Sequence, residues 1–434
     1  MNCDEAIAYI HSAGWHRGVP GLERIRTLME ALGNPQDELR FLHIAGTNGK
    51  GSVSAMLDSV LRAGGYRVGL FTSPYIRNFR ERIRMDGAMI EEDELAGITE
   101  IVRAKAEQIA ITPTEFELIC AIAFVYYRRK NPDFVVLEVG LGGRLDPTNL
   151  IRTSVISVIT GVDFDHTELL GNTIQSIAAE KAGIVKENVP VLYGGCQTSA
   201  CRTIRSIAEQ RHAVFYGVDR SSCRVIEQTL DGTVMDFRDY RGLRLSLLGS
   251  YQPQNAATAL TALHILQERG IVTLSEEAIR RGLSDVRWMA RFELLSKNPV
   301  ILYDGGHNPQ GVTEAVRSIQ TYFPEQKVYL LSGVMADKDY DSMIRALEPV
   351  TERAFTVTPE NPRALDAESY ADCFCQHKIP AHSYTSLAEA AEDAVRESIR
   401  QHVPLVCLGS LYLYNGIVDE IGRVLHADRQ AAEK

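Results

Sequence analysis

The sequence predicts an α/β protein with two domains, and three observations support this fold class. The chain has 434 residues, which is more than one hydrophobic core usually accommodates. Short apolar runs typical of buried parallel strands alternate with helical patterns along most of its length. The alternation restarts near residue 290, after an antiparallel pattern at 223–248. We therefore predict a larger N-terminal domain, residues 1–290, with a mainly parallel sheet and a small antiparallel sheet, and a smaller Rossmann-like α/β domain, residues 291–434. Within the first domain we predict a break between helical segments at Arg17-Gly18, one helix after His166 to about Val185, and a hairpin at Asp231-Gly232.

The segment Phe41–Val53, with the sequence FLHIAGTNGKGSV, joins a predicted strand to a predicted helix through a glycine-rich loop. Such a loop presents backbone N–H groups and a helix N-terminus to phosphate. Lys50 can reach the terminal phosphates and Ser52 can contact Mg²⁺. The spacing departs from GxxxxGK[ST], because Gly51 stands between these two residues. We predict a P-loop-type domain that binds ATP or GTP, rather than an ordinary glycine-rich βα turn.

Polar residues follow three other predicted strands of the first domain, namely Ser73, Glu138 and His166. Ligands of open α/β sheets bind at the carboxyl ends of the strands, so these side chains are candidates for one site. A hydroxyl, a carboxylate and an imidazole beside nucleotide phosphates can form a Mg²⁺ site. Taken singly, each residue is better explained as a turn cap or a hydrogen-bonded loop residue, and their occurrence together with the phosphate loop raises the metal site to about equal weight. The pattern predicts a nucleotide-dependent enzyme that uses Mg²⁺, but it does not indicate the substrate.

The composition limits the possible partners and the compartment. A net charge of −10 with no compensating block of Lys and Arg disfavours nonspecific nucleic-acid binding. The arginine-rich stretch Ile76–Met85 fits a solvated edge and an anion-binding loop about equally well. The eight scattered cysteines include no CxxC pair, and we find neither a signal peptide nor a membrane span. We expect a cytoplasmic protein that does not bind a membrane.

Seven segments together resemble the folylpolyglutamate synthase and dihydrofolate synthase family of Mur-type amino-acid ligases: HIAGTNGKGSV, FTSPYI, VVLEVGLGGRLDPTN, DFDHTELLG, EKAGI, DGGHNPQG and GSLYLYN. They occur in order over roughly residues 5–425, in both predicted domains. The resemblance implies an ATP-dependent, ADP-forming ligase that adds L-glutamate to a folate through an acyl phosphate. Dihydropteroate as a further acceptor stays open, and we expect a monomer.

The resemblance also implies roles for individual residues. It assigns nucleotide binding to Thr47, Asn48, Gly49, Lys50, Gly51, Ser52, Asn255, Arg291 and Asp304. It assigns Mg²⁺ to Ser73, Glu138 and His166, and a second Mg²⁺ to a carbamylated Lys181. The residues expected to act in the reaction are Lys50, Lys181, Arg291 and His307.

One position departs from the family pattern. The family has a Pro-Gly pair before the arginine, whereas this chain has Met289-Ala290 before Arg291. These residues disfavour a positive φ, which places the position of Arg291 in question. The sequence leaves two alternative functions. A Mur-type ligase acting on a cell-wall precursor is disfavoured by the segment around Glu138, and a non-catalytic nucleotide-binding protein by the motif containing Asp304 and His307.

Overall fold

The computed structural model of the protein describes residues 1–14 and 21–432. The chain forms two compact units. The first unit comprises Met1–Arg224, Phe237–Leu243 and Gln254–Val286; the second comprises Val225–Asp236, Arg244–Pro253 and Arg287–Lys434. Both units are α/β, which confirms the predicted fold class. The domain boundary between residues 290 and 291 stays a prediction.

The first unit is built on a mainly parallel sheet. Within the described residues this sheet has eight strands: β1 (Phe41–Ala45), β2 (Val68–Phe71), β3 (Ile83–Met85), β4 (Ala88–Met89), β5 (Phe134–Glu138), β6 (Ser154–Ile159), β7 (Val191–Tyr193) and β8 (Phe215–Gly217). Their order is β4-β3-β2-β5-β1-β6-β7-β8. The central strand β1 pairs in parallel with β5 and β6, and every one of its residues is buried. Its burial explains the run that predicted it, which is apolar at every position except His43.

Helices precede, connect and follow these strands. They are α1 (Cys3–Ser12), α2 (Glu23–Ala31), α3 (Lys50–Ala63), α4 (Glu92–Gln108), α5 (Glu115–Lys130), α6 (Thr167–Leu170), α7 (Ile174–Ala182), α8 (Thr198–Gln210), α9 (Gln252–Glu268) and α10 (Glu276–Asp285). Of these, α1, α5, α7 and α10 each begin after a residue whose side chain caps the helix. The start of α5 is a capping box, in which Thr114 and Glu117 satisfy each other's backbone N–H groups.

The segment predicted to be antiparallel forms a separate sheet. Its strands are β9 (Cys223–Thr229), β10 (Gly232–Phe237) and β11 (Tyr240–Leu245), in the order β11-β10-β9. The first two strands are joined by a turn at Leu230 and Asp231, directly before Gly232, so the predicted hairpin is present. Gly232 has a φ of +128°, a conformation that glycine adopts readily.

The second unit has a mixed sheet with helices between its strands. Within the described residues the strands are β12 (Glu293–Lys297), β13 (Val300–Asp304), β14 (Val328–Gly333), β15 (Thr351–Thr356), β16 (Ala381–Ser383) and β17 (Leu405–Gly409), in the order β12-β13-β17-β14-β15-β16. Only the edge strand β12 pairs in an antiparallel manner, with β13. The helices are α11 (Pro309–Tyr322), α12 (Tyr340–Leu347), α13 (Ala367–Gln376), α14 (Leu387–Gln401) and α15 (Tyr414–Ala432).

One predicted helix was wrong. The pattern after His166 predicted one helix to about residue 185, but the structure has the short α6 and then α7. Gly171, with a φ of +91°, ends the first, and the Thr173 side chain caps the second. The predicted break at Arg17-Gly18 lies outside the described residues. None of the helices that the structure describes is long and apolar enough to span a bilayer.

Candidate functional site

The glycine-rich loop lies at the carboxyl end of β1 and leads directly into α3. Gly49 caps the helix with a φ of +85°, and Lys50 is the first helical residue. The Lys50 ammonium donates hydrogen bonds to the carbonyl oxygens of Gly46 and Thr47, at 3.0 and 3.1 Å. The Thr160 hydroxyl at the end of β6 donates to the carbonyl of Asn48 at 2.7 Å. The loop is therefore fixed by Thr160, which follows β6, and by hydrogen bonds from its own lysine to its backbone.

Asn255 lies against this loop although it is 206 residues beyond Gly49 in sequence. A Cβ atom added at Gly49 would lie 2.6 Å from Oδ1 of Asn255, so a larger residue at that position would collide with the amide. Asn255 is in the first turn of α9. The structure thus brings a predicted nucleotide-contacting residue to the predicted phosphate loop.

Two of the three predicted metal ligands are in contact. The backbone N–H of Ser73 donates to Oε2 of Glu138 at 3.3 Å. These residues follow β2 and end β5, which are adjacent in the sheet, and Glu138 is only 3% exposed. A buried carboxylate at this edge, next to a hydroxyl-bearing residue, suits a hard cation such as Mg²⁺.

The third predicted ligand, His166, follows β6 in a left-handed conformation with a φ of +48°. Its ring is half-exposed, and its Nε2 lies 3.8 Å from Oδ1 of Asp165. Within the described residues, no group of three or more His, Cys, Asp or Glu side chains is arranged to hold a metal ion. The assignment of Ser73, Glu138 and His166 to Mg²⁺ therefore stays a prediction.

Lys181 is buried near the phosphate loop. Its side chain lies in the last turn of α7 and the residue is 3% exposed. Burial, together with the positive charge of Lys50, lowers the pKa of Lys181 to about 7, while Asp165 acts in the opposite direction. A substantial fraction of this amine is neutral at physiological pH, and the neutral amine is the nucleophilic form.

The arginine-rich stretch is divided between a buried and a surface part. Arg82 is 2% exposed, and its guanidinium lies 5.1 Å from the ring centre of Tyr75 and 5.6 Å from that of Phe79. Burial lowers the pKa of Arg82. Arg80 instead pairs with Glu92 at 3.0 Å, and Glu92 is largely exposed. Neither of the two sequence interpretations describes the whole stretch.

In the second unit, three donors converge on the carboxylate of Asp304, which ends β13. Oδ2 accepts hydrogen bonds from the Tyr251 hydroxyl and the Phe292 backbone N–H, both at 2.8 Å, and Oδ1 accepts one from the Gly306 N–H at 2.8 Å. Burial raises the pKa of Asp304, and the charge of Arg291 counteracts this effect. The hydrogen bonds fix the carboxylate in one orientation.

Arg291 is held on an unusual stretch of backbone. Ala290 and Phe292, on either side of it, have φ values of +55° and +49° and are fully buried. The Arg291 guanidinium donates to the Ala290 carbonyl at 2.8 Å, and the Gly305 N–H donates to the same oxygen at 2.9 Å. The chain therefore adopts the left-handed conformation at Ala290 that the sequence disfavours.

His307 follows in the same motif. Its Nδ1 lies 2.9 Å from the carbonyl oxygen of Gly305, which can only accept, so Nδ1 carries the proton and Nε2 is the basic nitrogen of the neutral ring. Asn308 then caps α11 by accepting from the Gly311 N–H at 2.7 Å. The motif thus serves both the helix start and the orientation of the imidazole.

Sequence reasoning missed three residues at these sites. Asp165 acts electrostatically on Lys181, Thr160 holds the phosphate loop, and Tyr251 binds Asp304. Asp165 is part of the quoted segment DFDHTELLG, so the carboxylate beside His166 was a usable signal. The other two contacts join distant segments, and no local pattern indicates them.

Comparison with known families gives two matches along the chain. Residues 44–263 match the Mur ligase middle domain. Residues 290–411 match the glutamate ligase domain of Mur ligases. The first match includes the phosphate loop, Glu138 and Lys181, and the second includes Arg291 and Asp304.

Individual proteins are similar over nearly the whole chain. The dihydrofolate synthase/folylpolyglutamate synthase of Bacillus subtilis is 36% identical, over 94% of this chain and 98% of that protein. The crystal structure of folylpolyglutamate synthase from Thermotoga maritima has a TM-score of 0.84 at 34% identity and covers 96% of both chains. A folylpolyglutamate synthase–AMPPCP–folate complex has a TM-score of 0.82 at 33% identity, over 98% of this chain and 99% of that one.

Proposed function

Because the chain belongs to the folylpolyglutamate synthase family of Mur ligases, we propose that it is an ATP-dependent ligase that joins L-glutamate to a folate. The observation that carries this proposal is the phosphate loop with Lys50 at the start of α3, next to the buried Lys181. Similarity to a folate-bound relative favours a folate acceptor over a cell-wall precursor. Dihydropteroate is a second candidate acceptor, because the Bacillus subtilis relative is also a dihydrofolate synthase.

The residues present fit ATP with Mg²⁺. Two lysines, Lys50 and Lys181, are close enough for one to lower the pKa of the other, and a polyphosphate would relieve this repulsion. Glu138, Ser73 and His166 would hold Mg²⁺, which would supply charge neutralisation at the phosphates. We propose that the loop residues 47–52, Asn255, Arg291 and Asp304 bind the nucleotide.

The proposed reaction has two steps. A carboxylate oxygen of the folate attacks the γ-phosphorus of ATP, the bond to the β-phosphate oxygen breaks, and ADP leaves. The amine of glutamate then attacks the acyl carbon of the acyl phosphate, loses a proton, and phosphate leaves. Lys50 and Arg291 would stabilise the negative charge that develops in both steps, because fixed cations need no reorganisation during the reaction. His307 would accept or hold a proton in these steps.

Carbamylation of Lys181 is part of the proposal. The neutral amine can add CO₂ and lose a proton, which forms an N–C bond and turns a buried cation into an anion with two oxygens. Such an anion would bind a second Mg²⁺, whereas an ammonium would repel it. The lowered pKa of Lys181 supports this step, since it provides the neutral amine near pH 7.

The experiment that tests the function is a screen of ADP release by the purified chain. ATP, Mg²⁺ and glutamate are combined with tetrahydrofolate, with dihydropteroate, or with a UDP-linked muramoyl peptide. We expect ADP release that requires both glutamate and one of the two pteridine acceptors. ADP release with the muramoyl peptide but with neither pteridine acceptor would indicate a cell-wall ligase. ADP release that requires neither glutamate nor an acceptor would indicate a simple nucleotide hydrolase.

A further inference from the structure

His43 is a fully buried histidine in the middle of the strand that carries the phosphate loop. It pairs in register with Leu137 of β5 and with Ser157 of β6, and it is 0% exposed. Its Nε2 lies 3.0 Å from the Thr148 hydroxyl, whereas its Nδ1 has no hydrogen-bond partner among the described residues. A buried imidazole with only one bond is costly, and an apolar residue would fill the same place without this cost. The single bond therefore needs an explanation.

The direction of this hydrogen bond follows from its neighbours. The Thr148 hydroxyl lies 2.5 Å from Oδ1 of Asp146, and the ionised carboxylate can only accept, so the hydroxyl donates to it. A lone pair of that hydroxyl then accepts from Nε2–H of His43. Burial and the charge of Lys186 both lower the pKa of His43 well below its ordinary value, so the ring is neutral and Nδ1 keeps a lone pair rather than a proton.

This relay of three side chains ends on the loop that follows Glu138. Oδ2 of Asp146 accepts from the backbone N–H of Leu141 at 2.8 Å and so closes the segment 141–146 on itself. Further along the segment, the Arg144 N–H donates to the Glu180 carbonyl at 2.8 Å, one residue before Lys181. The segment therefore connects β1, through His43, to the end of α7.

A separate anchor holds the far end of the same loop. The Asn149 amide donates to the carbonyls of Arg144 and Gly183, both at 3.0 Å, and its Oδ1 accepts from Lys186 at 2.7 Å. Loss of the His43 bond should therefore loosen the segment 140–146 without detaching it.

We propose that His43 is a positioning residue, which fixes the position of the segment 140–146 relative to the phosphate loop through Thr148 and Asp146. His43 itself contacts no substrate in this account. The segment begins two residues after Glu138 and bonds beside Lys181, so its displacement would shift both relative to Lys50. This consequence for catalysis rests on the proposed ligase function, whereas the consequence for the order of the segment does not.

The test compares His43→Leu with His43→Gln, because the Gln amide N–H lies three bonds from Cβ, as Nε2–H of His does. Tyr127→Phe is a matched control that removes another buried hydrogen bond of the first unit, the 2.7 Å bond to the Leu70 carbonyl. Each variant is measured for amide hydrogen exchange of peptides covering 139–146, for kcat and for KM of ATP. We expect faster exchange and a loss of kcat of roughly 10- to 10²-fold for His43→Leu, with near-normal values for His43→Gln and Tyr127→Phe.

A second variant keeps the test decisive if His43→Leu fails to fold. Thr148→Val breaks the same relay at its middle, should reproduce faster exchange and lower kcat, and should add nothing when combined with a folded His43→Leu. Unchanged exchange in Thr148→Val, an equal loss in His43→Gln, or additive losses in the double variant would overturn the proposal. If the wild-type chain shows no ligase activity but the exchange pattern is as expected, the proposed function fails while the positioning role stands.

Discussion

The hydroxyl of Tyr251 donates a hydrogen bond to Oδ2 of Asp304 at 2.8 Å, across 53 residues of sequence. Together with the backbone N–H groups of Phe292 and Gly306, it fixes a carboxylate that burial would otherwise favour in the neutral form. The three donors and the charge of Arg291 offset part of the effect of burial, because hydrogen bonds and a nearby cation favour the charged form. A carboxylate fixed in this way is a suitable contact for a polar ligand.

Asp304→Asn should weaken ATP binding by about 10-fold or more. The amide removes the charge and places an NH₂ group against an N–H donor, and one such lost bond to a charged group costs ~1.5–3 kcal/mol. Calorimetry with the non-hydrolysable analogue AMPPCP measures the affinity. The control Asp366→Asn alters an exposed helix cap of the same unit and should leave the affinity unchanged. Equal affinities for Asp304→Asn and the wild type would remove Asp304 from the nucleotide site.

Ala290→Gly should stabilise the protein by about 0.5–1 kcal/mol. Ala290 has a φ of +55°, a left-handed conformation that costs an L-residue ~1–2 kcal/mol. Glycine removes this cost, and its greater freedom in the unfolded chain offsets only part of the resulting stabilisation. Chemical denaturation measures the free energy of unfolding. Ala315→Gly, in the buried face of α11, is the control and should destabilise by about 1 kcal/mol. A destabilised Ala290→Gly protein would contradict the left-handed conformation of Ala290.

Arg291→Ala should lower kcat by roughly 10²-fold or more, as expected for loss of a cation that stabilises transition-state charge. Although Met289-Ala290 replaces the family's Pro-Gly pair, Ala290 adopts a positive φ. Steady-state kinetics measure the effect. Arg317→Ala, which removes an exposed arginine paired with Glu314, is the control and should retain wild-type kcat. A small loss in Arg291→Ala would show that the arginine does not reach the phosphates.

Sequence periodicity could predict the strands and most helices because both are local patterns. The run Phe41–Ala45 is apolar except for His43 because β1 is covered on both faces, and the Asp231-Gly232 turn is encoded by two residues. The single helix predicted after His166 failed because Gly171 adopts a positive φ, which terminates α6.

The contacts that hold the candidate sites were beyond local patterns. Asn255 reaches Gly49, and Thr148 reaches His43, only after the sheet has brought distant segments together. The left-handed backbone at Ala290 is a further example. The sequence indicates that an alanine disfavours this conformation. It does not indicate that Phe292 is buried beside it or that the Phe292 N–H donates to Asp304. Their residue types are ordinary, so only the fold makes them informative.

Carbamylation of Lys181 should be visible as a carbamate carbon signal in NMR after incubation with ¹³C-bicarbonate. The signal should be absent in Lys181→Ala, whose lost activity a short-chain carboxylate should partly restore. A fully active Lys181→Ala enzyme, or a wild-type enzyme without the signal, would contradict the proposal. Lys186→Ala is the comparison, because burial also lowers the pKa of Lys186, to about 8. The Lys186 ammonium donates a hydrogen bond to Oδ1 of Asn149, so we expect no carbamate on it. The carbamate signal should therefore persist in Lys186→Ala.

The same lysine should make stability depend on pH. The pKa of Lys181 is about 7 in the folded state and 10.5 as the ordinary value, so the unfolded chain binds more protons between these values and this residue makes stability rise with pH across that window. In CO₂-free buffer, Lys181→Met should therefore raise Tm more at pH 7 than at pH 10. An equal gain at both values would show that Lys181 is not buried as described.

The most direct test of the ligase function is mass spectrometry of the product formed from tetrahydrofolate, glutamate and Mg-ATP. The wild-type chain should produce a folate longer by one glutamyl residue, with ADP formed in equal amount. Lys50→Ala, with its loop cation removed and its Tm unchanged, should produce none above background. Absence of any glutamylated product from the folded wild-type chain, with either tetrahydrofolate or dihydropteroate, would contradict the account, and so would full activity of Lys50→Ala.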